Sequence, residues 1–163
     1  MRRFSLRGTI ALAIAGFGML GYIALAQEDK ASQADSDFPR GELIIDTASG
    51  PLRLDVEIAR TSEQRAQGLM FRTALAADSG MIFIYDSPRD IAMWMKNTIL
   101  PLDMVFIAED GRVTRIVANT APMSEATIPS RGPVRAVLEL NAGAAKRLAI
   151  KPGDYVRLGP FTG

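Results

Sequence analysis

The 163-residue chain contains no cysteine and no histidine. Without cysteine it has no disulfide framework, no lipid-modified N-terminal cysteine, no thiol nucleophile and no thiolate metal site. Without histidine it has no Ser-His-Asp triad, no HExxH zinc motif and no imidazole general base. Any catalysis would have to use carboxylates, lysine, tyrosine, or a metal bound through oxygen or thioether ligands. We predict no metal site and no cofactor.

The chain also has no large excess of positive or negative charge, because it contains 19 basic and 18 acidic residues. A chain with this balance lacks the excess positive charge typical of nucleic-acid-binding proteins. It also has no cluster of Lys and Arg of the kind that binds membrane surfaces. We therefore predict no nucleic-acid partner. We expect membrane contact only through the N-terminal segment.

The N-terminus has the organisation of an export signal. Three arginines within the first seven residues precede an apolar run at residues 9–26, which ends in the small-x-small tripeptide Ala24-Leu25-Ala26. This pattern predicts a signal peptide at residues 1–26, cleavage before Gln27 and a periplasmic location. The apolar run has 18 residues, the lower limit for crossing a bilayer, so the alternative is an uncleaved signal that anchors the protein to the inner membrane. Cleavage would leave 16 basic and 18 acidic residues.

Polar residues 27–40 predict a flexible linker, and residues 41–163 predict a single β-rich domain without internal repeats. Apolar residues alternate with charged ones at residues 52–58, the period of a half-buried strand. Asp110-Gly111 lies between two apolar runs and indicates a hairpin. The predicted strands are residues 42–46, 52–58, 80–85, 91–95, 104–109, 112–118, 135–140 and 155–158.

Two short helices complete the predicted domain. Thr61 and Gln64 have the spacing of a capping box, which predicts a helix over residues 62–67 that ends at Gly68. Asn141 is a suitable N-cap for a second helix that runs to about Leu148. Residues 120–133 contain three prolines and predict a long irregular loop. Together these elements predict a mainly β domain, a sandwich or barrel with two peripheral helices.

Several separated segments follow one another along the chain: ARTSEQRAQGLMFR at residues 59–72, WMKNT at 94–98 with PLD at 101–103, VLELNAG at 137–143, and Gly153-Asp154. In this order they resemble the exported family catalogued as domain of unknown function 192. The resemblance covers about residues 42–158. It implies a jelly-roll-like β-sandwich or barrel, and it assigns no residue roles.

Polar side chains in the otherwise apolar run 92–107 are the strongest functional signal, because such groups need partners or a ligand. Together with Arg72 and Glu139, these polar side chains predict a ligand-binding cleft in an exported binding or accessory domain. The residues predicted to line it are Arg72, Trp94, Lys96, Asn97, Asp103 and Glu139. The partner would be a small ligand or an envelope protein. The structural alternatives are a salt-bridge network, including a Lys96–Asp103 ion pair, and a core tryptophan.

Asp103 and Glu139 also allow an enzymatic hypothesis. Two carboxylates in different environments can act as general acid and general base, so the alternative function is a carboxylate-dependent hydrolase of envelope polymers. Five methionines offer thioether ligands for Cu(I), but strand alternation argues against such a site and favours adaptable core filling. These methionines are Met70, Met81, Met93, Met95 and Met104.

Overall fold

The computed structural model describes residues 38–157 and residue 159, and it contains nine strands and two helices within this part of the chain. The strands are β1 (Arg40–Thr47), β2 (Gly50–Ala59), β3 (Ser79–Arg89), β4 (Ala92–Met93), β5 (Leu102–Ile107), β6 (Val113–Thr120), β7 (Ile128–Pro129), β8 (Val134–Asn141) and β9 (Tyr155–Val156). The helices are α1 (Ser62–Gln67) and α2 (Ala144–Arg147). The predicted signal peptide, most of the linker and Leu158 lie outside the described residues. Neither described helix is long and apolar enough to cross a membrane.

Seven strands form one curled sheet in the order β6-β5-β8-β3-β2-β1-β9, which makes a half-barrel. The strands β4 and β7 form a separate antiparallel pair. This architecture confirms the predicted class, a mainly β sandwich or barrel with two short helices. Strands β2 and β3 are parallel, and the connection between them contains α1. A parallel pair needs such a crossover, and the crossover brings α1 and the residues after it to the candidate site described below.

The sheet is buried on both faces, so two hydrophobic cores form. Strand β8 shows the division, because Leu138 and Leu140 belong to the first core while Val137 belongs to the second. Glu139 projects on the same face as Val137. Four of the five methionines noted above, Met81, Met93, Met95 and Met104, are buried in the second core.

Helix α1 forms as its local sequence predicts. The Gln64 backbone N–H donates to Thr61 Oγ1 at 3.2 Å, and the Thr61 N–H donates to Gln64 Oε1 at 3.1 Å, so both halves of the capping box are present. Gly68 follows the helix with a φ of 49°. A Cβ atom at Gly68 would lie 3.0 Å from the Phe83 ring, so glycine lets the helix end pack directly on β3.

Two sequence predictions about boundaries were wrong. The strand predicted over residues 91–95 is limited to Ala92–Met93, and the predicted irregular loop contains the short strand β7.

The predicted N-cap of the second helix was also wrong. Asn141 does not cap α2, whose N-cap is Gly143 and makes no side-chain capping bond. The Asn141 side chain instead donates to the carbonyls of Leu75 and Ala76.

Candidate functional site

Glu139 lies in the middle of the second core. The strand register places it directly opposite Met81 of β3 and Met104 of β5. Its exposed fraction is 4%, and its carboxyl takes part in no hydrogen bond or ion pair among the described residues. No fully buried side-chain N or O atom in this part of the chain lacks a partner, so the carboxyl oxygens are not completely enclosed. Burial raises the pKa of Glu139 from its ordinary value of 4.5 to about 8. The carboxyl is therefore mainly protonated at neutral pH.

A cavity of about 110 Å³ has the Glu139 side chain in its lining. One wall is the end of α1 and the segment after it, Gly68 to Met70. Phe83 and Tyr85 of β3 also line the cavity, together with Met93, Trp94 and Thr98. Glu139 is thus an ionisable group in a small cavity whose walls combine apolar and aromatic side chains with the polar residues Arg65, Gln67 and Thr98. Ligand sites commonly have this composition.

Tyr85 contributes a second polar group to the cavity. Its hydroxyl donates to the thioether of Met93 at 3.6 Å, and burial raises the pKa of Tyr85 to about 12. The guanidinium groups of Arg65 and Arg89 lie over the Tyr85 ring, 5.2 Å and 5.1 Å from its centroid. Arg65 also lines the cavity and donates to the Ile84 carbonyl at 3.0 Å. Positive charge therefore surrounds the tyrosine side of the cavity.

Trp94 is not a core residue, because 46% of it is exposed. One part of the residue lines the cavity, and the Lys96 ammonium lies over the ring, 5.3 Å from the centroid. Lys96 Nζ is also 3.8 Å from Glu125 Oε1. The predicted Lys96–Asp103 ion pair does not form, since Glu125 is the carboxylate beside Lys96.

Four large apolar side chains are exposed on three neighbouring loops, and we call this set the apolar rim. Its members are Phe71, Trp94, Ile99 and Met123. Backbone bonds join the loops: the Phe71 N–H donates to the Asn97 carbonyl at 2.9 Å, and the Met123 N–H donates to the Thr98 carbonyl at 3.0 Å. Because Met70, Trp94 and Thr98 line the cavity, the rim flanks it.

The loops of the apolar rim are held in an uncommon backbone conformation. Phe71, Asn97 and Met123 have φ values of 63°, 52° and 60°, in the left-handed region that glycine prefers. Each such residue costs about 1–2 kcal/mol. The Asn97 amide also approaches the Met70 sulfur at 3.9 Å. Asn97 therefore shapes the loop beside the cavity but is absent from the lining.

Arg72 belongs to a buried ion pair beside the cavity. Its Nη2 is 2.7 Å from Oε2 of Glu57, and the other oxygen of Glu57 accepts from Arg40 at 3.3 Å. Glu57 lies opposite Met81 across the parallel pair, so it shares a face of the sheet with Glu139. Arg72 therefore fits the salt-bridge alternative better than the prediction that it lines a cleft.

Asp103 lies on the other face of the sheet. It is opposite Leu140, whereas Glu139 is opposite Met104, and the one-residue offset sends the two carboxylates to opposite sides. Asp103 is fully buried and accepts from the backbone N–H groups of Asn119 at 2.8 Å and Ala145 at 2.9 Å. The acid/base pair expected from the sequence is therefore not formed. Asp103 caps α2 from a neighbouring strand, the role expected of Asn141.

The sequence analysis missed several residues of this site. Phe83 and Tyr85 were assigned only to a buried strand, although a tyrosine in such a strand needs a partner for its hydroxyl. Glu57 was assigned to the exposed face of β2, which is buried by Arg72 and the crossover segment. Arg65 lies in the family-like segment at residues 59–72, but the sequence analysis did not place it in the cleft. Within residues 38–157, no three acidic side chains are placed to hold a metal ion.

Comparisons with known proteins give a family without an assigned activity. A solved structure from Sinorhizobium meliloti 1021, described as a candidate transcription regulator, is 50% identical, with a TM-score of 0.72 over 74% of this chain and 94% of that one. A protein of unknown function from Novosphingobium aromaticivorans DSM 12444 is 45% identical, with a TM-score of 0.73 over 75% and 87%. No functionally curated protein matches. Residues 44–158 match the family DUF192, described as "Uncharacterized ACR", and the chain belongs to it.

Proposed function

We propose that this protein is an exported binding domain whose binding site is the Glu139 cavity together with the apolar rim. The observation that carries the proposal is the Glu139 carboxyl, which lines a cavity and has no hydrogen-bond partner within the described residues. The carboxyl oxygens are not completely enclosed, since no fully buried side-chain N or O atom within the described residues lacks a partner. A ligand in the cavity could therefore reach the carboxyl and form a hydrogen bond with it, which contributes about 0.5–1.5 kcal/mol.

The size of the cavity limits what can enter it. An apolar cavity of about 150 Å³ accommodates benzene, so 110 Å³ suits a group of roughly four or five heavy atoms. Phe71, Ile99 and Met123 offer further apolar surface outside the cavity. A ligand would insert one small group beside Glu139 and place a larger apolar part on the rim. A small ligand and a segment of an envelope protein can both do this.

The geometry favours binding over hydrolysis by paired carboxylates. Asp103 is on the opposite face from Glu139, so the pair cannot flank one bond. Glu57 is on the correct face, but one strand separates the two, which corresponds to about 10 Å between backbones. Arg72 and Arg40 also bind Glu57, so it is an ion-pair partner and not an available base.

The export part of the proposal rests on the N-terminal arginines and the apolar run before Gln27. Expression of the full-length gene, fractionation of the cells and intact mass measurement test it. A periplasmic protein that begins at Gln27 supports cleavage, and a full-length protein in the membrane fraction supports the anchored alternative. A full-length protein in the cytoplasm contradicts export.

Trp94 is the only tryptophan, so its fluorescence reports directly on the binding site. The processed protein, which begins at Gln27 after the predicted cleavage, would be titrated with sugars, muropeptides, short amides and short carboxylates. Trp94 emission and melting temperature would be recorded together. A saturable change in emission with a raised melting temperature supports the proposal, since a ligand at 100 times its Kd adds about 2.7 kcal/mol of stability.

Variants locate the response. Phe71→Ala and Ile99→Ala should weaken binding of the larger ligands, while Tyr155→Ala should not. Tyr155 is a suitable control because 48% of it is exposed, close to the value for Trp94, and it lies on β9. Equal weakening by all three variants would exclude the apolar rim as the binding surface.

A further inference from the structure

We propose that the cavity binds a short acyl group, whose oxygen accepts hydrogen bonds from the Glu139 carboxyl and the Tyr85 hydroxyl. This inference rests on the proposed function, because it names the ligand chemistry of the same site. The acyl group belongs to a carboxylic acid or to one of its amide or ester derivatives.

Both donors are available to a ligand. The Glu139 carboxyl lines the cavity and has no partner among residues 38–157. The Tyr85 hydroxyl donates to a thioether sulfur, which is a weak acceptor, so an oxygen atom would be a better partner. The apolar walls include Phe83, Met93 and Leu69, while Arg65, Gln67 and Thr98 add polar groups. Two donors beside apolar walls favour a group that combines an acceptor oxygen with a short carbon chain.

Glu139 has the protonation state that a donor requires. A protonated carboxyl group has one O–H to donate, whereas the ionised form only accepts. Burial raises the pKa of Glu139 to about 8, so the proton is mostly retained at neutral pH. A carboxylic acid kept neutral by an apolar site is an established device for binding a carbonyl oxygen.

The surrounding charges disfavour the main competing class, an organic cation paired with ionised Glu139. Arg65 lines the cavity, and the guanidinium groups of Arg65 and Arg89 already lie over the Tyr85 ring. Glu57, another carboxylate on this face of the sheet, is paired with Arg72. An incoming ammonium would therefore be repelled by two arginines, whereas an acyl oxygen would be attracted.

Three four-carbon probes of nearly equal size test this inference: butyramide, butyrate and n-butylammonium. Each has five or six heavy atoms, about as many as the cavity holds or one more, so one end of a bound probe would extend toward the apolar rim. The processed protein, labelled with ¹⁵N, has one indole N–H signal, that of Trp94 beside the cavity. Each probe would be titrated to about 100 mM, because groups of this size bind weakly. We expect saturable shifts with butyramide or butyrate and none with n-butylammonium. The comparison of amide with carboxylate separates a neutral acyl ligand from an ionised one.

Substitutions then test the two donors. Glu139→Gln keeps an N–H donor and should hold the Kd for the bound probe within about threefold. Glu139→Met, which fits beside Met81 and Met104, and Tyr85→Phe should each raise the Kd about tenfold. Tyr155→Phe, an exposed control, should leave the Kd unchanged. Folding of every variant is verified by the dispersion of the same spectra.

The outcomes separate this inference from the proposed function. Preferential binding of n-butylammonium would overturn the acyl inference but would leave a binding site beside Glu139. Undiminished butyramide or butyrate binding by folded Glu139→Met and Tyr85→Phe would also overturn it. If no probe and none of the larger ligands moved the Trp94 signal, the acyl inference and the proposed function would both fail.

Discussion

Replacing Glu139 by glutamine should stabilise the protein increasingly as the pH rises. The pKa of Glu139 is about 8 in the folded state, because burial disfavours the ionised form, against an ordinary value of 4.5. Between these two values the folded protein retains a proton that the unfolded chain has released, so stability falls as the pH rises. Below 4.5 both states are protonated, and above 8 the full penalty applies. Glutamine cannot ionise and avoids this penalty.

The size of the effect follows from the interval between the two pKa values. At about 1.4 kcal/mol per pH unit, ionisation of Glu139 removes less than about 1 kcal/mol of stability at pH 5 and about 3 kcal/mol at pH 7. Above the folded-state pKa the loss reaches about 5 kcal/mol. Burying an amide and burying a neutral carboxyl differ in free energy by an amount that does not depend on pH. This amount shifts the stability difference between the two proteins equally at every pH. The decisive quantity is therefore the pH dependence of the difference between the two proteins.

Urea unfolding of both proteins at pH 5, 7 and 9 measures this difference. Glu109→Gln replaces an exposed acid and is the matched control. Its free energy of unfolding should change with pH in the same way as that of the unsubstituted protein. A Glu139→Gln difference that stays constant over the three pH values would refute the reasoning. It would mean that Glu139 is hydrated or charge-paired in solution, and the acyl-donor role would lose its support.

Three further substitutions test other parts of the structure by urea unfolding. Asp103→Asn should destabilise the protein by about 1–3 kcal/mol without changing ligand binding, because the amide cannot accept from both backbone N–H groups. Gly68→Ala should cost at least about 1 kcal/mol, since φ is positive and the new Cβ would press on Phe83, and it should also weaken ligand binding. Arg72→Met should destabilise by about 3 kcal/mol through loss of its ion pair with the buried Glu57. A neutral result in any of the three would contradict the corresponding contact.

The two helix starts show why one prediction succeeded and one failed. The capping box of α1 joins Thr61 to Gln64, three residues apart, so the chain itself brings the partners together. The start of α2 is capped by Asp103, whose Oδ2 accepts from the N–H of Ala145, 42 residues further along the chain. A sequence pattern can report the first kind of contact, but only the pairing of β5 with β8 brings about the second.

The candidate site shows the same division. The sequence singled out Trp94 and Glu139, because a polar or aromatic residue in an apolar run is a local signal. It could not say which polar residues share a face, since that depends on register between distant strands. Register separated Asp103 from Glu139 and brought Glu57 onto the same face. The crossover after β2 added Arg65 to the site, and strand β3 added Tyr85.

Taken alone, the sequence determined the features that neighbouring residues encode. These are the β class, the capping box, the position of the hairpin between β5 and β6, and membership of the family. The tertiary structure decided the cavity, the parallel pairing of β2 with β3, and the partner of every buried charge. The physical reason is that a strand places alternate side chains on opposite faces. A shift of one residue in the register therefore decides whether a carboxylate such as Glu139 faces the cavity or a helix end.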